Sequence, residues 1–254
     1  DVAVLGQPID QGGGQVIVGT DDEDDLVGGD GDDTIDGLDG DDILTGGAGD
    51  DDLSGGAGDD ILVGDVAPPP LYILDDGSDG ILKVSFEGNV SEVAVTEAEI
   101  MAATGENSAS LSDRGIAVNE AGSIFFTDGT SDSILMKPAD GGDLQVVISK
   151  SEFMDATGND GANPKALTIG SDGKLYVSDD TSDSIVRVDL ATGEATQIVS
   201  RSDLQDLPGI DSVDLDGGIV GTADGMIYVA SDGSPDAIFA VDINSGDVSV
   251  LASN

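Results

Sequence analysis

Hydrophobic positions along this chain follow two regimes. Between residues 17 and 62 aliphatic residues recur every nine positions, at Ile17, Leu26, Ile35, Leu44, Leu53 and Leu62, separated by clusters of Asp and Gly. From residue 71 onward apolar residues come instead in short runs separated by Asp, Gly and Ser clusters, the pattern of β-strands bounded by turns. The regimes meet at Ala67-Pro68-Pro69-Pro70. A proline run is stiff and cannot continue a hydrogen-bonded ladder, so residues 67–70 are expected to be a linker. The pattern predicts an all-β protein with one unit over residues 1–66 and a second over 71–254.

The nine-residue period aligns five blocks in phase: Gly19–Val27, Gly28–Asp36, Gly37–Thr45, Gly46–Ser54 and Gly55–Val63. Every block has Asp at its sixth position (Asp24, Asp33, Asp42, Asp51, Asp60) and an aliphatic residue at its eighth. Over residues 12–65 this resembles the RTX, or hemolysin-type, nonapeptide family, GGxGxDxUx, whose repeats form a calcium-binding parallel β-roll. The first block departs from the motif, with Thr20 and Asp22 where glycines belong.

In such a roll the first six residues of a block form a tight turn and the last three a short strand with its aliphatic side chain inward. Two blocks complete an 18-residue coil, which stacks Asp24, Asp42 and Asp60 on one edge and Asp33 and Asp51 on the other. Rungs about 4.8 Å apart bring carboxylates close enough to repel unless a cation lies between them. A hard cation taking six or more oxygens suits carboxylates and inward-facing carbonyls, and calcium fits better than magnesium, which demands strict octahedral geometry. Carried over block by block, the family's ligand pattern implies a site from Gly29, Gly31, Asp33, Gly46, Ala48 and Asp51. It implies a second from Leu38, Gly40, Asp42, Gly55, Ala57 and Asp60. A third, weaker site uses Thr20, Asp22, Asp24, Gly37, Asp39 and Asp42, so about three calcium ions are expected. The remaining block aspartates, such as Asp32, Asp41, Asp50 and Asp59, are expected to face solvent.

The second unit repeats with a longer period. Leu71-Tyr72-Ile73, Ile124-Phe125-Phe126, Leu175-Tyr176-Val177 and Ile227-Tyr228-Val229 start equivalent strands at spacings of 53, 51 and 52 residues. Each leads through a turn into a second strand and then a third (Val90–Val95, Leu144–Ile148, Ala195–Val199, Val248–Leu251). Three are preceded by a further short strand, at Gly115–Asn119, Lys165–Ile169 and Gly218–Thr222. Four short strands at this period are a β-propeller blade. The turns DGTSDSI and DDTSDSI, with the hairpin Val188–Glu194, are similar to those of NHL and SMP-30-like propellers, over residues 71–254. Asp128, Asp132, Asp180 and Asp183 are expected to set hairpin turns, with metal ligation as the alternative. Between blades, TEAE, SKSE and SRSD place Ser or Thr three residues before Glu or Asp, the mark of a capped short helix. A fourth copy would begin near Ala252, and the first blade lacks an inner strand. The chain is therefore expected to be part of a longer protein whose further blades finish the ring, the alternatives being a four-bladed ring or closure through another subunit.

Composition narrows the chemistry. The 254 residues include 53 acidic and 8 basic side chains, a net charge of −45, and neither His nor Cys. Residues 1–82 hold 23 acids and no base, and residues 83–254 hold 30 acids and 8 bases. Nucleic-acid binding, which needs Lys and Arg to neutralise phosphates, is excluded, and the same charge argues against docking on an anionic membrane. Disulfides, thiolate zinc sites and imidazole bases are unavailable to this chain. No apolar run approaches bilayer length. These features point to a secreted or cell-surface calcium-binding structural or adhesive protein, with the propeller as a recognition surface or building block and with self-assembly or a surface partner. The RTX resemblance implies type I secretion and folding in millimolar external calcium. The alternative is a metal-dependent propeller enzyme of lactonase, esterase or lyase type, holding its ion through Glu120, Asp172 or Asp224; turn chemistry explains these residues equally well. Adaptation to a high-salt habitat would explain the spread of acids in the second unit but not the nine-residue phase of the first.

Overall fold

A computed structural model describes residues 14–65, 70–84, 90–112 and 114–254. Residues 67–69 of the expected linker and residues 12 and 13 of the expected roll lie outside them. The chain divides into two compact units, Asp1–Pro70 and Leu71–Asn254.

The first unit is a parallel solenoid. Strands β1 (Val16–Val18), β3 (Thr34–Asp36) and β5 (Asp52–Ser54) form one three-stranded sheet. Strands β2 (Asp25–Asp30), β4 (Ile43–Ala48) and β6 (Ile61–Asp65) form the other. Every pair is parallel with partners 18 residues apart: Ile17 with Ile35, Ile35 with Leu53, Leu26 with Leu44, Leu44 with Leu62. Two nine-residue blocks thus make one coil. Ile17, Leu26, Ile35 and Leu44 are buried together with Leu53 packed against them. Leu62 departs from the inward rule at 46% exposure, because among the described residues no coil stacks beyond β6.

The second unit is a row of antiparallel blades. The first is β7 (Leu71–Asp75), β8 (Gly80–Val84) and β9 (Val90–Val95), three-stranded among the described residues. The second is β10 (Ile116–Val118), β11 (Ile124–Asp128), β12 (Ser133–Lys137) and β13 (Gln145–Ile148). The third is β14 (Pro164–Ile169), β15 (Leu175–Asp179), β16 (Ser184–Val188) and β17 (Ala195–Val199). The fourth is β18 (Ile219–Gly221), β19 (Met226–Ser231), β20 (Ala237–Asp242) and β21 (Val248–Ser253).

Short helices α1 (Glu97–Thr104), α2 (Lys150–Thr157) and α3 (Arg201–Gln205) join successive blades. They begin where the sequence places them, because the cap is built twice over: Glu99, Glu152 and Asp203 each accept from the backbone N–H and the hydroxyl of Thr96, Ser149 and Ser200. Each helix sends one apolar side chain, Ile100, Phe153 or Leu204, into the core between two blades.

Candidate calcium sites

The sixth-position aspartates form the two expected columns, joined by hydrogen bonds. Asp42 Oδ1 accepts the backbone N–H of Asp24 at 2.9 Å, Asp60 Oδ1 that of Asp42 at 3.1 Å, and Asp51 Oδ1 that of Asp33 at 2.9 Å. Each aspartate therefore grips the coil before it with one oxygen. The other oxygen of Asp33, Asp42 and Asp51 is buried without a hydrogen-bond partner. A buried carboxylate oxygen left unpaired costs several kcal/mol, on the order of a charged-group desolvation. Three such oxygens, two in one column and one in the other, are of the kind a cation would partner.

Carbonyl groups meet them. A Cβ placed on Gly28 would overlap both Asp33 Oδ2 and the carbonyl oxygen of Gly46. On Gly37 it would overlap Asp42 Oδ2 and lie 2.7 Å from the carbonyl of Gly55. The glycine thus leaves a cradle in which a carboxylate from one coil and a carbonyl from the next converge. The carbonyls of Gly29 and Gly31 point at Gly47 and Gly49 a coil later, and those of Leu38 and Gly40 at Gly56 and Gly58. The carbonyls of Ala48 and Ala57 accept the N–H groups of Gly31 and Gly40, at 2.6 and 2.9 Å, leaving each a second lone pair. An oxygen-only set of carboxylates and carbonyls is the chemistry calcium takes. Glycines at the second block position carry positive φ, 117° at Gly47. Leu38 occupies the same position at φ 78°, a conformation that strains a side chain with a Cβ.

The first block differs, as its departures from the motif suggest. The N–H and hydroxyl of Thr20 donate to Asp24 Oδ2 at 2.5 and 3.0 Å, and it is Oδ1 of Asp24 that is buried and unpartnered. The cradle at Gly19 is also more open, with Asp24 Oδ2 at 2.6 Å and the Gly37 carbonyl at 2.7 Å from a Cβ placed there. Asp22 directs its carbonyl toward Gly40, and Asp39 bridges to Ala57 in parallel register.

One feature escaped the sequence reading. Gln15 stands one coil before Asp33, at the sixth position of the preceding block. Its Nε2 donates to the carbonyl of Gly28 at 2.9 Å, while its backbone N–H donates to Asp33 Oδ1. Gly28 is here the counterpart of Gly46. Where a carboxylate and a carbonyl would need an ion between them, an amide closes the rung directly. The outward aspartates are exposed as expected, and Asp32 and Asp41 each accept the N–H of the aspartate 18 residues on.

The propeller carboxylates serve other ends. Asp128 accepts from Ser131 N and Oγ and from Ser110 N, the turn-setting role expected of it. In the third blade that role belongs to Asp179, which accepts from Ser182 N and Oγ and from Asn163 N, rather than to Asp180. Asp183 accepts the N–H of Leu215 and pairs with Arg201, and Asp132 pairs with Lys150. Asp180, Asp183 and Asp214 bring oxygens within 4.8 Å of one another, as do Asp214, Asp216 and Asp232. Burial, then the charges of Asp216, Asp232 and Asp180, push the Asp214 carboxyl above its ordinary range. Glu120, Asp172 and Asp224 are exposed turn residues. Asp172 accepts from Tyr176 Oη and Lys174 N, and Asp224 from Thr222 Oγ1.

Comparison with known proteins agrees with this division. Residues 18–53 and 37–66 match the RTX calcium-binding nonapeptide repeat. No curated protein matches the chain in sequence. Among solved structures, one from a nidogen/laminin complex superposes with a TM-score of 0.51 at 14% identity, over 73% of this chain and 62% of that one. A catalytically inactive virginiamycin B lyase from Staphylococcus aureus gives 0.50 at 18%, over 72% and 51%. A gluconolactonase-family structure gives 0.50 at 19%, over 73% and 60%. The chain thus spans between half and two thirds of these proteins, and at such identities the likeness is one of fold. No described helix is long and apolar enough to cross a membrane. Residues 18–66 are an array of RTX calcium-binding nonapeptide repeats, joined to an antiparallel β-propeller fold over residues 71–254.

Proposed function

We propose that this protein is an extracellular structural or adhesive component whose amino-terminal roll is folded and held by calcium and whose propeller is its recognition or building surface. The observation that carries the reading is the set of buried, unpartnered oxygens on Asp33, Asp42 and Asp51, across the two columns, two of them converging with the carbonyls of Gly46 and Gly55. Asp33, Gly46 and Asp51 would hold one ion, Asp42, Gly55 and Asp60 a second, and Asp24 with Gly37 a weaker third. Bound calcium neutralises the stacked carboxylates and joins successive coils. Weak calcium modules are tuned to extracellular concentrations, and a chain so acidic resists collapse where calcium is scarce. This fits export in an unfolded state, by the type I route, followed by folding outside.

A non-catalytic role is part of the proposal. It is supported by the turn roles of Glu120, Asp172 and Asp224, whose oxygens do not join the close carboxylate groups of the described residues. Calorimetric titration of the metal-stripped protein tests the first claim: two strong sites and one weaker are expected for calcium, with magnesium much weaker. Absence of calcium-dependent heat would overturn it. Hydrolysis of lactones and esters above background in added calcium would overturn the second.

A further inference from the structure

Gln15 and Asp33 hold the same position in successive coils and keep the same backbone bond. Gln15 N–H donates to Asp33 Oδ1 at 2.6 Å, as Asp33 N–H donates to Asp51 Oδ1 at 2.9 Å. Their side chains meet the neighbouring turn differently. Asp33 Oδ2 and the carbonyl of Gly46 converge on Gly28 as two acceptors, and Oδ2 has no donor. Gln15 Nε2 instead donates to the carbonyl of Gly28, the counterpart of Gly46, at 2.9 Å. A similar exchange occurs in the other column, where Thr20 gives its N–H and hydroxyl to Asp24 Oδ2 while Asp42 Oδ2, one coil later, has no partner. Asp24 Oδ1 remains unpartnered, so this coil is closed by protein donors on the Gln15 side and half closed on the Thr20 side.

In a stacked roll each coil is ordered against its neighbour, and folding spreads from the coil that is least costly to form. Ordering a coil loses backbone entropy at every residue before its contacts offset the loss. Where a rung closes only around an ion, two coils must be ordered, two carboxylates brought together and a cation captured in one event. The Gln15 rung has no such requirement, because its side chain is neutral and the chain supplies the donor. Thr34 N–H to the Gln15 carbonyl and Gly19 N–H to the Asp36 carbonyl, both at 2.8 Å, then fix β1 against β3, and Ile17, Leu26 and Ile35 come together. This coil is not a fold by itself, since Leu44 of the next coil completes the core. What it provides is Asp33 already held through Oδ1, with Oδ2 open toward the next turn.

We propose that Gln15 is a positioning residue that starts the folding of the roll: the coil it closes without an ion is the template on which the calcium sites are assembled. The proposal rests on the calcium reading of those sites and adds the direction in which they form. The Asp33, Gly46 and Asp51 site comes first, next to the Gln15 rung, and the Asp42, Gly55 and Asp60 site follows. Gln15 itself ligates no ion. Its contribution is to the rate at which the roll folds in calcium, and not to the number of ions bound or to the rate at which the roll is lost on chelation.

Stopped-flow circular dichroism tests this on the full chain, mixed from chelator into excess calcium and back. Gln15→Met keeps the reach of the side chain and removes its donor. It is expected to slow folding in calcium about fivefold, the worth of one hydrogen bond made in the transition state. Its unfolding rate in chelator and the number of ions it binds are expected to match the parent's. Leu53→Ala, in the last strand of the Gln15 column, is expected to do the reverse, speeding unfolding and leaving the folding rate alone. Pulsed hydrogen exchange during folding is expected to protect residues 15–36 before residues 52–65. A Gln15→Met variant that folds at the parent's rate overturns the proposal, as does one whose whole loss lies in unfolding. Leu53→Ala slowing folding as much as Gln15→Met overturns it too, and so does protection of residues 52–65 before or together with 15–36. The calcium reading survives all of these results, since the roll still folds on mixing. A parent roll with no calcium-dependent signal at all fails that reading, and the proposal with it.

Discussion

The two units solve the problem of burying charge-rich sequence in opposite ways. Among the described residues the propeller has three apolar cores, each shared by two blades and a helix, and Asp128, Asp179 and Asp183 hold turn or interblade amides, while one oxygen of Asp214 is buried without a partner. The roll has one small core, Ile17, Leu26, Ile35 and Leu44, flanked by buried aspartates of which one oxygen each has no protein partner. The groups that complete the fold are largely supplied by the chain in the first case and are expected to come from solution, as calcium, in the second. Buried aspartate thus gives a largely self-sufficient fold or a conditional one, depending on whether amides or carbonyls face the carboxylates.

The sharpest way to break this contrast is to remove calcium. Chelation is expected to abolish the roll's strand signal and expose residues 14–65 to proteolysis while the propeller keeps its own, as circular dichroism and limited digestion would show. Survival of the roll in chelator would mean that its coils hold without an ion. Next in size, Leu44→Ala is expected to cost about 2–5 kcal/mol, read as a higher calcium concentration at the folding midpoint. The propeller's thermal transition is unaffected if the units fold separately.

Asp42→Ala removes both the unpartnered oxygen and the bond to Asp24 N–H, whereas Asp24 is already partly satisfied by Thr20. It is expected to weaken calcium binding about tenfold more than Asp24→Ala, or about 1.4 kcal/mol; equal affinities in the two variants would contradict the ligand register. Gln15→Asp replaces the amide that closes the first rung with a carboxylate and is expected to raise the calcium stoichiometry by one site.

The smallest expected effect lies in the propeller. Glu152→Ala removes the cap of α2 and is expected to cost about 1 kcal/mol of propeller stability. Hydrogen bonds from the backbone and hydroxyl of Ser149 hold the Glu152 carboxyl below the ordinary carboxylate range. A depressed carboxylate stabilises the fold at pH values above its unfolded value, and that contribution fades as the pH falls through the lower folded one. The difference between parent and variant should therefore vanish in acid, and a gap that persists there would assign the loss to packing.

Much of this molecule was legible in its sequence because its repeats are strict. The phase of Asp24 to Asp60 predicted the columns, and the aliphatic eighth positions predicted the core, except at Leu62, where the next coil that would cover it is not among the described residues. Blade strands and capped helices appeared close to their expected bounds, since alternation and the Ser/Thr-x-x-Glu/Asp motif are local signals. What the sequence hid was set by partners distant along the chain. Asp79 and Asp183 accept the N–H groups of Leu111 and Leu215, each 32 residues on, and no local pattern announces such a bond. The turn role of Asp179 rather than Asp180 depends on which of two adjacent carboxylates faces Ser182, and the meeting of Asp180, Asp183 and Asp214 requires two blades to be set side by side. Gln15 could have been found by extending the nine-residue frame one block upstream.

The bond from each aspartate to the amide of its predecessor has a kinetic meaning. If calcium fills these cradles, a coil that captures its ion is expected to hold the preceding turn in shape through this bond, so that neighbouring sites load together rather than independently. Folding of the roll is then expected to follow calcium concentration steeply, as a threshold.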